Sequence, residues 1–149
     1  MYNSELWTLT KKLENEIDVF QRNLLKKILQ IKYPYIIRNE DLYRKTCEIP
    51  WSTKIKTRRL RWTGHFLRLA DKTPAKLAYK ESNRKVGRNF CGNTLTWRKQ
   101  INRDLYYVNT NLFLDLVNIS YLAEDRDWWN KEVVKPTCCG AQHERRNSQ

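Results

Sequence analysis

Residues able to do chemistry are few in this chain of 149 residues, and most keep unsuitable company. A zinc site needs four thiolate, imidazole or carboxylate ligands at workable spacing. Cys138, Cys139 and His143 supply three near the C-terminus, but adjacent cysteines diverge in direction and no fourth ligand is nearby. Glu124, Asp125 and Asp127 form an acidic cluster. On a helix Glu124 and Asp127 share a face and Asp125 points away. Salt bridges to Arg126, Lys131 or the basic middle of the chain are therefore expected, not a metal ion. His65 has the chemistry of a general base, yet no acid in its own stretch can orient it. There is no Ser/His/Asp grouping, phosphate-cradling glycine loop or pair of carboxylates in complementary surroundings. The expectation is a protein that is not an enzyme on its own and holds no metal or cofactor.

Charge carries more information. The chain has 29 Lys and Arg against 16 Asp and Glu, a net +13. Residues 52–103 hold fifteen basic and two acidic side chains, so the whole excess sits in the middle third. A concentrated positive field favours a polyanion. Nucleic acid is the first candidate and an anionic membrane surface the second. No run of 18 apolar residues exists, so no span across a membrane is expected. The start, "MYNSELWTLT", lacks a basic region followed by an apolar one. An unsecreted protein, nuclear or cytoplasmic, with reduced thiols is expected.

The stretch "RRLRWTGHFLRL", Arg58 to Leu69, lies inside this basic third. Ser52 is a possible cap for a helix from about Thr53 to Ala70. At about 100° per residue, Ile55, Trp62, Phe66 and Leu69 form an apolar stripe that Leu60 and Leu67 widen. Gly64 leaves room for the close approach of another backbone. Lys54, Arg58, Arg61, His65 and Arg68 form a second stripe, almost purely basic. Its length, roughly 21 Å at about 1.5 Å per residue, spans several consecutive phosphates. Cations set opposite phosphates release counterions, and the arginine fork matches phosphate oxygens. Lys56, Arg84, Lys85 and Arg88 are expected to assist. Arg59 lies nearer the apolar stripe and is assigned to packing or a buried pair. The plain alternative is a solvated cationic face.

Other elements must support this helix. Leu13, Ile17, Phe20, Leu24, Ile28 and Ile31 recur at helical steps after Thr10, a possible N-cap. Tyr33-Pro34 is expected to end that helix. "NEDLYRKT" reads as a short helix capped by Asn39. Residues 71–95 read as an irregular basic connection with a helical turn around Ala75–Tyr79. A fourth helix begins near Thr94 or Thr96, with Trp97, Ile101, Leu105 and Val108 on one side. A fifth element runs from about Asn111, with Leu112, Leu116, Ile119 and Ala123 at the helical step, until Pro136. The expectation is an all-α domain of four or five helices over residues 1–134, followed by a disordered tail, 135–149. Phe20, Leu24, Trp62, Phe66 and Trp97 are its expected core.

Six segments in order resemble the non-LTR (LINE-type) retrotransposon endonuclease–reverse transcriptases. "RRLRWTGHFLRL" resembles their R-R-L-R-W-x-G-H-x-x-R motif, which lies downstream of the polymerase palm. "YNSELWTLTK", "FQRNLLKKIL", "NEDLYRKT", "LTWRKQINRDL" and "AEDRDWW" resemble further segments of the family, and together they cover about residues 2–134. In that family this region is the thumb-like and C-terminal connection. The resemblance implies a helical bundle that helps hold template RNA and the primer–template duplex. It does not imply catalysis, which needs palm carboxylates on a [FY]-x-D-D motif; this sequence has no Asp-Asp pair, and no endonuclease segment accompanies it. Asn89 stands where the family usually has proline, and Leu6 where a small residue is expected. Without a palm to cover it, an apolar surface is expected to promote self-association. The alternatives are a helical protein-interaction module with an acidic partner, or a translated fragment without function. RNA and DNA are not distinguished, because phosphate contacts do not read the sugar.

Overall fold

The computed structural model of the chain describes residues 2–82, 95–108 and 116–135. Arg84, Lys85, Arg88, Leu112, the expected tail beyond Lys135 and the cysteines at 138 and 139 lie outside the described residues; Lys135 itself, expected to open the tail, continues the helical backbone. The fold is all-α. Seven α-helices occur among the described residues: α1 (Lys11–Ile28), α2 (Asn39–Thr46), α3 (Trp51–Arg68), α4 (Pro74–Ser82), α5 (Trp97–Val108), α6 (Leu116–Glu124) and α7 (Arg126–Trp129). A 3-10 turn, Ser4–Leu6, precedes them, and α7 runs into a π-helical turn, Asn130–Val134. The count exceeds four or five for two reasons. The turn expected around Ala75–Tyr79 is a helix of its own, and Asp125 breaks the last element by accepting from the N–H groups of Asp127 and Trp128, both at 2.9 Å.

Local signals set most boundaries. Thr10 caps α1, its hydroxyl accepting from the Leu13 N–H at 3.3 Å. The stop signal is not Tyr33-Pro34. Gln30 takes a left-handed φ of 54°, and the Ile31 N–H donates back to the Lys26 carbonyl at 3.0 Å. That is a Schellman closure, which ends the helix before the proline can act. Asn39 is the first residue of α2 rather than its cap; Arg38 occupies the cap without a side-chain bond. The Thr96 hydroxyl accepts from the Lys99 N–H at 3.3 Å at the start of α5.

The central element is α3. It packs against the 3-10 turn, α1, α5, α6 and the π-helical turn. Its start is not capped by Ser52, which lies in the first turn. Two side chains of α1 do that work. Asp18 accepts from the Ser52 N–H at 2.9 Å and from its hydroxyl at 2.7 Å. Gln21 accepts from the Trp51 N–H at 2.8 Å and donates to the Ile49 carbonyl at 3.0 Å.

This arrangement corrects the expected role of α1. Glu14, Asp18 and Gln21 share a helical face, and that polar face meets α3. The apolar stripe lies about a quarter turn away. Phe20 is 56% exposed, Leu13 and Ile28 are also exposed, and Leu24 is half-buried. The core forms elsewhere, from Leu60, Ile101, Leu105, Ile119, Ala123, Trp129, Val133 and Val134. Phe66 is buried as expected, while Trp62 and Trp97 are half-buried beside it. These rings make a cluster: Trp62 stacks on Phe66 with centroids 5.4 Å apart, and Trp97 meets Trp62 edge-on at 5.2 Å.

Gly64 admits a side chain rather than a backbone. A Cβ there would lie 2.5 Å from Trp129 Nε1 and 2.7 Å from Cδ1. The indole fills that notch and donates to the Leu60 carbonyl at 3.0 Å.

Candidate nucleic-acid interface

Burial of α3 decides which of its residues can meet a ligand. Ile55, Thr57, Arg59, Leu60, Thr63, Gly64 and Phe66 are buried, and they surround most of the helix. Arg58, Arg61, His65 and Arg68 are exposed. They fall on one side at steps of 3, 4 and 3, so the solvent face of the central helix is almost wholly cationic. From Arg58 to Arg68 this row is roughly 15 Å long at about 1.5 Å per residue.

The side chains of this row are not equivalent. Arg61 and His65 make no described hydrogen bond or ion pair. The Arg58 guanidinium reaches the Ser4 hydroxyl at 3.5 Å. Arg68 donates to the Ala123 carbonyl at 2.7 Å, near the C-terminal end of α6. A cation there offsets the negative end of the helix dipole and satisfies a carbonyl left free by the helix end. Lys54 is ion-paired with Glu48.

Lys56 is drawn away from the row. It pairs with Glu14 at 3.3 Å and stands 5.5 Å from the Tyr107 ring centroid. On a helix it projects far around from Arg58 and Arg61, so its charge serves the α1–α3 contact. Asp71 similarly takes Lys76 at 3.3 Å and Lys80 at 3.9 Å. The fifteen cations of residues 52–103 are thus partly neutralised by carboxylates, some within the segment and some brought from elsewhere in the sequence. The acidic cluster does not join in: Glu124 and Asp127 have no described ion pair, and Asp125 is used as a cap.

Arg59 forms the buried pair assigned to it. Its Nη1 donates to Asp104 Oδ2 at 2.6 Å, and Gln100 donates to Asp104 Oδ1 at 3.0 Å. Arg59 Nε and Nη2 have no acceptor. Burial pushes the Asp104 carboxyl above the ordinary carboxylate range against the attraction of Arg59, and pushes Arg59 below its usual value against the attraction of Asp104. The pair is costly to bury and fixes α5 against α3 in one register.

Sequence reasoning missed Asp18, Gln21, Gln100 and Asp104, the side chains that hold α3 in place. The spacing of residues 14, 18 and 21 carried a signal, a polar stripe at helical steps. Among the described residues no group of three His, Cys, Asp or Glu side chains could hold a metal ion, and no helix is long and apolar enough to cross a membrane. In comparisons with known proteins, no family model, no curated protein and no solved structure matches this chain.

Proposed function

We propose that this chain is a non-catalytic helical module of a LINE-type reverse transcriptase that grips the phosphate backbone of RNA or DNA. One observation carries the reading: the central helix is packed on its other sides and leaves a cationic row as its solvent face. Arg58, Arg61, His65 and Arg68 supply the contacts. Arg61 and His65 come first, because no described group of the protein competes for them. Lys54 contributes less, since Glu48 already neutralises it.

The motif "RRLRWTGHFLRL" then divides into two jobs. Arg59, Leu60, Gly64 and Phe66 build the interior, while Arg58, Arg61 and His65 face the ligand. Every phosphate neutralised releases counterions, so affinity depends on salt and not on sequence. Fluorescence anisotropy on a structured RNA and a DNA duplex over a salt series tests this. If three or four phosphates are engaged, log K falls with log salt at a slope of roughly −3 to −4. Arg58→Ser with Arg61→Ser reduces that slope by about 1 to 2. Binding that is absent at low salt, or insensitive to the double substitution, refutes the reading.

A second reading, a helical protein-interaction module, draws on the exposed apolar row of α1, where Leu13, Phe20 and Ile28 meet solvent. Concentration-dependent sedimentation that disappears with Phe20→Ser supports it.

A further inference from the structure

The segment joining α1 to α2 has features that the α3 face does not use. Tyr33, Tyr35 and Ile36 are 93%, 81% and 93% exposed. The Tyr35 N–H donates to the Lys32 carbonyl at 3.0 Å, closing a turn that carries both rings into solvent. Residues 26–38 contain Lys26, Lys27, Lys32 and Arg38 and no acid. Beside the turn lies an open cleft of about 440 Å³, lined by Ile36, Ile37, Arg38, Asp41, Arg44 and Lys45. That volume suits a small ligand unit such as one nucleotide. The only acid of the cleft, Asp41, is already held by Arg44 at 3.1 Å. Arg38 and Lys45 have no described partner.

These features define the chemistry of the occupant. It must be anionic, and it must offer flat apolar faces to two tyrosine rings. A second copy of the chain is disfavoured, because a two-fold contact sets the same cationic segment against itself. An anionic membrane offers phosphate headgroups to Arg38 and Lys45 but no flat π-faces for the two rings to stack on. A duplex hides its base faces in its own stack. A single strand displays both base faces and phosphates.

We infer that the turn and the cleft beside it form a separate site for single-stranded nucleic acid. Bases stack on Tyr33 and Tyr35, and Lys32, Arg38 and Lys45 meet the phosphates. The site shares no residue with the α3 face, so each can fail without the other.

Anisotropy with short labelled oligo(U), oligo(dT), an abasic deoxyribose-phosphate oligomer of the same length and a duplex tests the inference. Oligo(U), oligo(dT) or both are expected to bind about tenfold or more tightly than the abasic oligomer, and the ratio between them identifies an RNA or DNA preference. Tyr33→Ala with Tyr35→Ala abolishes that gap and leaves duplex affinity unchanged. Tyr33→Phe with Tyr35→Phe retains it, because the ring and not the hydroxyl does the stacking. Arg58→Ser with Arg61→Ser weakens duplex binding and leaves the gap in place. Both tyrosines are solvent-exposed, so an unaltered circular dichroism spectrum is expected for all of these variants. Equal binding of the abasic oligomer overturns the inference. So does indifference to the double alanine substitution. An effect of that substitution confined to phosphatidylserine vesicles, or to self-association in sedimentation, also overturns it.

Discussion

Arg59 on α3 and Asp104 on α5 hold each other at 2.6 Å, with 0% and 1% of their side chains exposed. Removing either partner strands the other charge in the interior. Arg59→Met or Asp104→Leu alone is expected to cost about 3–5 kcal/mol. The double substitution is expected to be neutral or stabilising, because two desolvation penalties vanish together. Urea denaturation of the four proteins in a double-mutant cycle measures this; additive losses contradict it.

The same pair gives stability a pH dependence. The folded-state pKa of Asp104 is raised above its unfolded value. As pH rises past about 4, the unfolded chain releases this proton while the folded chain still holds it. Folding is therefore favoured at the acid end of that window, and the advantage is lost as pH climbs through the raised pKa. Denaturation midpoints across this range should show this component in the parent protein. Arg59→Met with Asp104→Leu should lack it.

Gly64→Ala tests the notch that admits the Trp129 indole. The added methyl must displace the indole and weaken its hydrogen bond to Leu60. Overpacking of this kind costs about 1–3 kcal/mol, and the lost bond adds about 1. The melting temperature should fall, and Trp129→Phe should recover little of it, because a phenyl ring still meets the methyl. An unchanged melting temperature for Gly64→Ala contradicts the close contact.

Arg61 and Arg68 should separate binding from stability. Arg68→Ser removes a charged donor from the Ala123 carbonyl and is expected to cost about 1–2 kcal/mol. Arg61→Ser removes a side chain with no described partner and should leave the melting temperature unchanged while weakening duplex binding. Equal stability of the two variants contradicts the role given to Arg68.

Asp18→Ala removes a cap that comes from another helix. A lost cap costs about 1–2 kcal/mol. Gln21→Ala strands the Ile49 carbonyl and the Trp51 N–H together and should cost more, about 2–3 kcal/mol. Amide exchange should quicken first at Trp51 and Ser52. Protection unchanged at those two positions contradicts the account.

Much of the fold was legible in the sequence because local rules set it. Thr10 as a cap, α2 over "NEDLYRKT", the two faces of α3 and the buried role of Arg59 all follow from periodicity and capping chemistry. The inward face of α1 did not follow. Its apolar stripe was the natural candidate for the interior, but α3 begins with unsatisfied N–H groups, and those demand Asp18 and Gln21. A pattern of apolar residues does not register a neighbour's hydrogen-bond needs. Ser52 was misread for the same reason: it is a capping residue by type, yet it donates to a carboxylate 34 residues away. The neutralisation of Lys56 by Glu14 was equally hidden, since net charge counts cations without showing which acids the fold brings to them.

The completion of α3 by side chains of α1 has a consequence for inheritance. The basic helix is not portable. Residues 51–68 cut out as a peptide would leave behind both acceptors for their first N–H groups, and would expose Ile55, Leu60 and Phe66 to water. A relative that keeps "RRLRWTGHFLRL" but drifts at Asp18 or Gln21 would retain the letters of the motif and loosen the rod that displays them. Selection on the solvent face of α3 would therefore reach back into a helix that contributes nothing to that face.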